Sequence, residues 1–134
     1  MLGALSGAEY APVEQGISRQ AETSAKGMRP DGPLMSARLP ADGHAESSLT
    51  LEPGVCYTIL GFGGAGVFDY QLHVVTSPPM PPQVLAQSTP GGVTPVVGAG
   101  EQCLRNPLPL PLVVKVDLHV VHGQGLVGAR VYRR

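Results

Sequence analysis

The strongest pattern in the chain is an alternation of aliphatic and polar residues with a period of two. Between residues 112 and 121 every even position is aliphatic, whereas Lys115, Asp117 and His119 occupy odd positions. Successive side chains of a β-strand point to opposite faces, so this segment is predicted to bury one face and expose the other.

The C-terminal segment 126–133 repeats this alternation, with its aliphatic positions opposite Arg130 and Tyr132. Residues 122–125 (HGQG) between the two segments are few enough for a tight turn, so the two strands are predicted to form an antiparallel hairpin. In a third segment, Phe68 and Tyr70 share a face with two aliphatic residues, opposite Asp69 and its alternating polar neighbours.

Shorter apolar segments separated by glycine and proline complete a pattern typical of a β-sandwich. The predicted strands are residues 34–39, 45–51, 55–60, 68–76, 83–88, 94–97, 112–121 and 126–133. We therefore predict an all-β protein, a single antiparallel sandwich of jelly-roll type with about eight strands.

Glycine and proline support this fold class and define its loops. Eighteen glycines and fourteen prolines in 134 residues are about twice the usual share, which disfavours long helices and a parallel sheet. The proline-rich stretches 77–82 and 106–111 are predicted to be loops or edge segments, because proline lacks the amide hydrogen of a strand ladder. Residues 8–29 have only a thin apolar stripe, so residues 1–30 are predicted to be a helical or disordered arm preceding a sandwich domain at 31–134.

Charge and hydropathy exclude several classes of partner. The formal net charge is −1, whereas a nucleic-acid or anionic-membrane partner would require a basic surplus. No apolar run approaches the roughly 18 residues of a membrane-spanning helix. The remaining partners are a protein or a carbohydrate, or a second copy docking through the arm.

Residues 61–66 (GFGGAG) match the GxGxxG pattern of dinucleotide-binding proteins. That pattern requires a helix at the third glycine and an acid about 20 residues later, whereas here a strand-like alternation follows and no acid lies near residue 86. The glycines are predicted to form a turn between strands, and no cofactor is expected.

Sequence motifs for catalysis are also lacking. The candidate nucleophiles do not occupy a GxSxG elbow or a comparable cysteine context; they are Ser36, Ser47, Ser48, Ser77, Ser88 and the two cysteines. The acids Glu46 and Glu52 are predicted to face solvent. No catalytic residue is assigned, and the protein is expected not to be an enzyme.

Histidines on the polar strand faces are the remaining candidates for chemistry. By parity, His73 and His119 both lie on polar faces, so neighbouring strands would bring them together with Asp69 or Asp117 in a metal site. No short ligand motif such as HxH supports this site. Exposed histidines that bind nothing are the favoured interpretation.

Cys56 and Cys103 are too few and too far apart for a structural zinc site. They are either two buried thiols or a disulfide, which would stabilise the fold by roughly 4 kcal/mol through loop closure. The residues alone leave both alternatives open.

Several short segments resemble the pre-peptidase C-terminal type of β-sandwich and similar secreted or lipoprotein-like domains of myxobacteria. They are VCYTIL at 55–60, GVFDYQLHV at 66–74, LAQS at 85–88 and the two strands within 113–132. Gln71 replaces the second aspartate of the Asp-x-Asp pair in that pattern, so a cation contact through the pair is not carried over to this chain. The resemblance implies an exported, noncatalytic module in an oxidising compartment, and with it a Cys56–Cys103 disulfide.

The expected function is therefore that of a noncatalytic extracytoplasmic module for binding or for structural roles. One alternative is a subunit of a surface or particle assembly that docks through its N-terminal arm. Another is a small metal-dependent enzyme that uses His73, His119 and Asp69.

Overall fold

The computed structural model describes residues 7–134, so residues 1–6 of the predicted arm lie outside it. Within this range all eight predicted strands occur, with bounds shifted by at most three residues, together with a helix, a two-residue strand and a 3-10 turn at Gly100–Gln102. The elements are α1 (Gly7–Ser24), β1 (Arg29–Pro30), β2 (Met35–Leu39), β3 (His44–Leu51), β4 (Tyr57–Gly63), β5 (Val67–Thr76), β6 (Val84–Gln87), β7 (Val96–Val97), β8 (Leu112–Gly123) and β9 (Gly125–Arg133).

The strands form two antiparallel sheets. In the five-stranded sheet, β9 pairs with β4, which pairs with β7, while β1 and β2 follow one another along the other edge of β9. The four-stranded sheet has the order β3-β8-β5-β6. From β2 onward, successive strands alternate between the two sheets, except for the β5–β6 hairpin. This is the strand order of a jelly roll. The predicted fold class is confirmed.

The predicted hairpin between the last two long strands is wrong. β8 pairs with β3 and β5, whereas β9 pairs with β2 and β4 in the other sheet. The chain crosses between the sheets at Gln124, whose amide donates to the carbonyl of Gly66 at 2.9 Å. The two aliphatic faces therefore meet across the sandwich rather than side by side in one sheet.

That contact explains the glycine-rich motif. Gly66 has a φ of +90°, and a Cβ there would lie 2.5 Å from the carbonyl oxygen of Gln124, so only glycine fits the close approach of the two crossovers. The residues after it enter β5, not a helix. Gly61 and Gly63 lie within β4, so the predicted turn between strands is confirmed only for residues 64–66.

One predicted buried residue, Phe68, lies on the surface instead. Its side chain is 74% exposed, whereas Val67 and Tyr70 are buried. The pairing of β5 with β8 shifts register on both sides of Asp69. Such a bulge adds a residue to one strand and reverses the alternation before it, which turns Phe68 outward.

Aliphatic and tyrosine side chains fill the space between the sheets. The buried cluster includes Ile59, Tyr57, Tyr70, Leu72, Val74, Val114, Val116, Leu118, Val120, Val127, Ala129 and Val131. The predicted inward positions of β8 and β9 are buried in this cluster, except for Leu112, which is partly buried and packs against it, as period two requires.

Helix α1 covers the outer face of the five-stranded sheet. Val13 and Ile17 are buried against Leu60 and Tyr132, which explains why Tyr132 is buried although it points away from the inter-sheet core. An ion pair of 3.2 Å joins Glu14 on the helix to the guanidinium group of Arg130. The thin apolar stripe of the arm is thus helical and packs on its own chain. The outer face of the four-stranded sheet, which we call the open face, has no such cover among the described residues.

A disulfide joins Cys56, next to the start of β4, to Cys103, with a Cα–Cα distance of 5.4 Å. Reciprocal backbone hydrogen bonds of 2.9 and 2.8 Å between Tyr57 and Leu104 hold the two segments together beside it. The pairing of the two cysteines is therefore as predicted. No helix in the described residues has the length and apolar character needed to cross a membrane.

Candidate functional site

A cluster of histidine and aspartate side chains lies on the open face. In the register of the four-stranded sheet, His44 on β3 is opposite His119 on β8, and Asp117 on β8 is opposite His73 on β5. All four residues lie on the polar side of their strands, so the sheet brings three imidazoles and a carboxylate into adjacent positions.

His44 and His119 stack on each other, with ring centroids 3.8 Å apart and planes inclined by 9°. Their close contact follows from the strand register. The amide of Val120 donates to the carbonyl of Gly43 at 3.0 Å, so the next pair along, His44 and His119, is a non-hydrogen-bonded pair. In such pairs the side chains approach most closely.

Asp117 orients His44, one ring of this pair. Nδ1 of His44 lies 3.0 and 3.1 Å from the two carboxylate oxygens of Asp117. An ionised carboxylate only accepts hydrogen bonds, so Nδ1 of His44 carries the proton and the lone pair of the neutral ring is on Nε2. Nδ1 of His73 is 3.8 Å from the same carboxylate and has no hydrogen-bond partner among the described residues.

Asp42 completes the cluster from the turn between β2 and β3. It is the only non-glycine residue in the described range with a positive φ, 60°, a conformation that aspartate tolerates better than most residues. Nε2 of His119 donates to its Oδ1 at 2.8 Å. This hydrogen bond, and then the positive charge of His119, lower the pKa of the exposed Asp42 carboxyl below its ordinary value.

The parity argument thus identified part of the site. β5 and β8 are neighbouring strands, and the ring centroids of His73 and His119 lie 6.3 Å apart. The carboxylate of Asp117 lies near both His44 and His73. Asp69, the other candidate, pairs in register with His122 at the bulge, outside this cluster. Its buried Oδ1 has no hydrogen-bond partner in the described chain.

Sequence reasoning missed Asp42 and His44. The role of His44 depends on β3 pairing with β8, more than 60 residues later in the sequence. The available signal was a turn sequence, Pro40-Ala-Asp-Gly43, placing an aspartate two residues before a histidine at a strand start.

The arrangement offers both proton and metal chemistry. One ligand atom each from Asp42, His44 and His119 lies within 4.8 Å of the others. Imidazole and carboxylate groups are common protein ligands of Zn²⁺ and of other first-row transition-metal ions. The cluster is on a sheet surface, so solvent reaches it directly.

The chain matches no protein-family model, and neither a curated protein nor a solved structure is significantly similar to it. The fold and the cluster are therefore the basis for any functional assignment.

Proposed function

We propose that the protein is a noncatalytic jelly-roll module for binding or structural roles in an oxidising, extracytoplasmic compartment. The observation that carries the proposal is the filled interior. Enzymes and small-molecule carriers act in a concave pocket lined by a few polar groups, whereas side chains from both sheets interdigitate here in one apolar cluster.

The buried polar groups support the same conclusion because they serve the fold. The hydroxyl of Thr58 donates to the carbonyl of Gly98 at 2.7 Å, and the amide of Leu72 donates to Oγ of Ser88 at 3.0 Å. Ser88 was one of the candidate nucleophiles. Its oxygen is engaged with the backbone of β5, which favours a structural role.

The disulfide favours the extracytoplasmic part of the proposal. Disulfides persist in oxidising compartments and are uncommon where thioredoxin and glutathione keep thiols reduced. Cys56 is buried, so its sulfur is shielded from exchange in the folded protein.

Thiol trapping in cells that naturally make the protein tests the compartment. Acid quenching followed by alkylation under denaturing conditions should find both Cys56 and Cys103 unmodified, because each is already in the disulfide. Two alkylated thiols in the native source would overturn the extracytoplasmic assignment.

Methyl NMR tests the noncatalytic assignment. Inward-facing methyl groups, such as those of Val116 and Leu118, should keep their chemical shifts when a library of small fragments is added. Fragments that shift these interior methyl groups at submillimolar concentration would reveal a pocket and contradict the proposal.

A second candidate function, a subunit of a self-assembly, is favoured by exposed apolar residues at one end of the four-stranded sheet. Leu110 is 70% exposed, and Leu108 and Val113 beside it are also exposed. Thr76 at the end of β5 pairs with Val114 near the start of β8, so the loop carrying the exposed Met80 leaves the sheet at the same end. Exposed apolar groups gathered in this way are typical of contact surfaces.

Sedimentation velocity distinguishes the two candidates. If this end joins two copies, the wild-type protein forms dimers at about 100 µM and Leu110→Asp is monomeric. A wild-type protein that remains monomeric at this concentration would exclude the assembly. Because α1 packs on its own sheet, docking through the arm would require the helix to leave Leu60 and Tyr132.

A further inference from the structure

We propose that Asp42, His44 and His119 form a binding site for one divalent transition-metal ion of the Zn²⁺ class, with Asp117 as a positioning residue. The site uses the open face and does not depend on the proposed noncatalytic function. It differs from the site expected from sequence, since His119 is the only ligand common to both and Asp117 acts here as a positioning residue.

The ligand geometry is close to what a zinc ion requires. Bonds of about 2.1 Å in a tetrahedral site place ligand atoms about 3.4 Å apart. The three ligand atoms here lie within 4.8 Å of one another, and Nε2 of His119 is already 2.8 Å from Oδ1 of Asp42. Two of the three residues are exposed, so their side chains have room to rotate until the atoms reach bonding distance.

Asp117 prepares His44 for coordination. Its carboxylate holds the proton on Nδ1, which leaves the lone pair of the neutral ring on Nε2. Histidine ligands of metal ions usually donate their other nitrogen to a carboxylate in this way, which fixes the ring and raises its basicity. Because in-plane lone pairs of parallel rings do not converge, binding must rotate one ring out of the His44–His119 stack.

Coordination would displace the proton from Nε2 of His119. In the metal-free protein the Nε2 proton of His119 is shared with Asp42. When the ion takes both atoms as ligands, a doubly protonated ring releases this proton to solvent and a neutral ring carries its one proton on Nδ1 instead. In both cases two nitrogens and one oxygen each donate a lone pair to the metal. Metal binding by such ligands is accompanied by proton release and weakens as the pH falls.

The local charge also favours a cation. Asp42 and Asp117 place two carboxylates around three imidazoles. Lys115, the nearest lysine on the same strand, is engaged with Glu46 at 3.8 Å. The mixed nitrogen and oxygen ligands favour Zn²⁺, Cu²⁺ or Ni²⁺ over Ca²⁺ or Mg²⁺, which prefer oxygen alone.

Isothermal titration of untagged, chelator-treated protein with Zn²⁺ tests the site. The expected result is one ion per chain. We expect His44→Ala and His119→Ala to weaken binding at least tenfold, and Asp117→Asn to weaken it by about 10–100-fold, the usual effect of losing an outer-shell partner.

Two controls make the result specific. His122→Ala removes an exposed histidine from the same strand without touching the three ligands, and it should leave the affinity unchanged. Asp42→Asn lies in an exposed turn and keeps a residue that tolerates a positive φ, so it should weaken binding while its amide NMR spectrum stays native.

Three results would overturn the site. They are no binding to the wild-type protein at millimolar Zn²⁺, an equal loss of affinity in His122→Ala, and displacement of Zn²⁺ by equimolar Ca²⁺. The last two would indicate binding to scattered histidines or to exposed acids in general.

Discussion

Replacement of Asn106 by alanine should destabilise the fold more than its place in a loop suggests. The side chain is almost completely buried between the 3-10 turn and β8. Its Nδ2 donates to the carbonyls of Leu51 at 2.9 Å and Leu110 at 2.7 Å, and its Oδ1 accepts from the amide of Leu108 at 2.9 Å. The one amide therefore ties the proline-rich loop 106–111 to the end of β3.

The magnitude follows from the fate of the three backbone groups. The bond to Leu51 is buried, and a buried acceptor left without its donor costs about 1–3 kcal/mol. The bonds to Leu108 and Leu110 are partly open to solvent, so each contributes about 0.5–1 kcal/mol. We expect Asn106→Ala to lower the free energy of unfolding by about 2–5 kcal/mol, a large part of the stability of a typical domain.

Urea unfolding followed by far-ultraviolet circular dichroism measures this change, with the disulfide kept intact. The midpoint should fall while the slope of free energy against urea stays the same. Gln102→Ala, in the exposed 3-10 turn of the same connection, is the matched control and should change stability by less than about 0.5 kcal/mol. A loss below about 1 kcal/mol for Asn106→Ala, or a loss equal to that of the control, would refute the reasoning.

Three further predictions concern the disulfide, the helix contact and a buried tyrosine. Replacing Cys56 and Cys103 by alanine removes a disulfide between residues 47 positions apart and should lower the free energy of unfolding by about 4 kcal/mol. An unchanged urea midpoint would contradict this prediction. Gly16→Ala should lower the free energy of unfolding by about 1–3 kcal/mol although alanine has the higher helix propensity, because the new Cβ would clash with the ring of Phe62. A raised thermal midpoint would show that the ring moves freely. Burial, and then the charge of Asp117, raise the pKa of Tyr70 well above 10. The stability that this residue contributes is therefore present below pH 10 and is lost as the pH rises further. Tyr70→Phe should weaken this alkaline loss of stability, measured by urea unfolding between pH 9 and 11.

Much of the fold could be predicted because alternation is a local property. Each inward position of β8 was recognisable from its own neighbours, since a strand with one buried face must place apolar residues at every second site. The same argument assigned His73 and His119 to polar faces. It did not detect the bulge near Asp69, because an extra residue changes the parity of a strand only through its pairing with β8.

The disulfide is an intermediate case. The spacing of Cys56 and Cys103 allowed either free thiols or a bond, and the resemblance to secreted sandwich domains favoured the bond. The disulfide forms because the segment after the 3-10 turn pairs with Tyr57 at the start of β4, which brings the two cysteines together. Proximity of these two segments is a consequence of sheet assembly.

The sequence by itself determined where the strands lie, which of their faces are apolar and where glycine and proline interrupt them. Only the tertiary structure decided which strands pair, that β8 and β9 enter different sheets, and that α1 covers one outer face and leaves the other open. Asp42 and His44 joined His119 for the same reason. Side-chain alternation depends on adjacent residues, whereas strand pairing is selected by how two apolar faces, distant in sequence, bury one another with the fewest unpaired backbone groups.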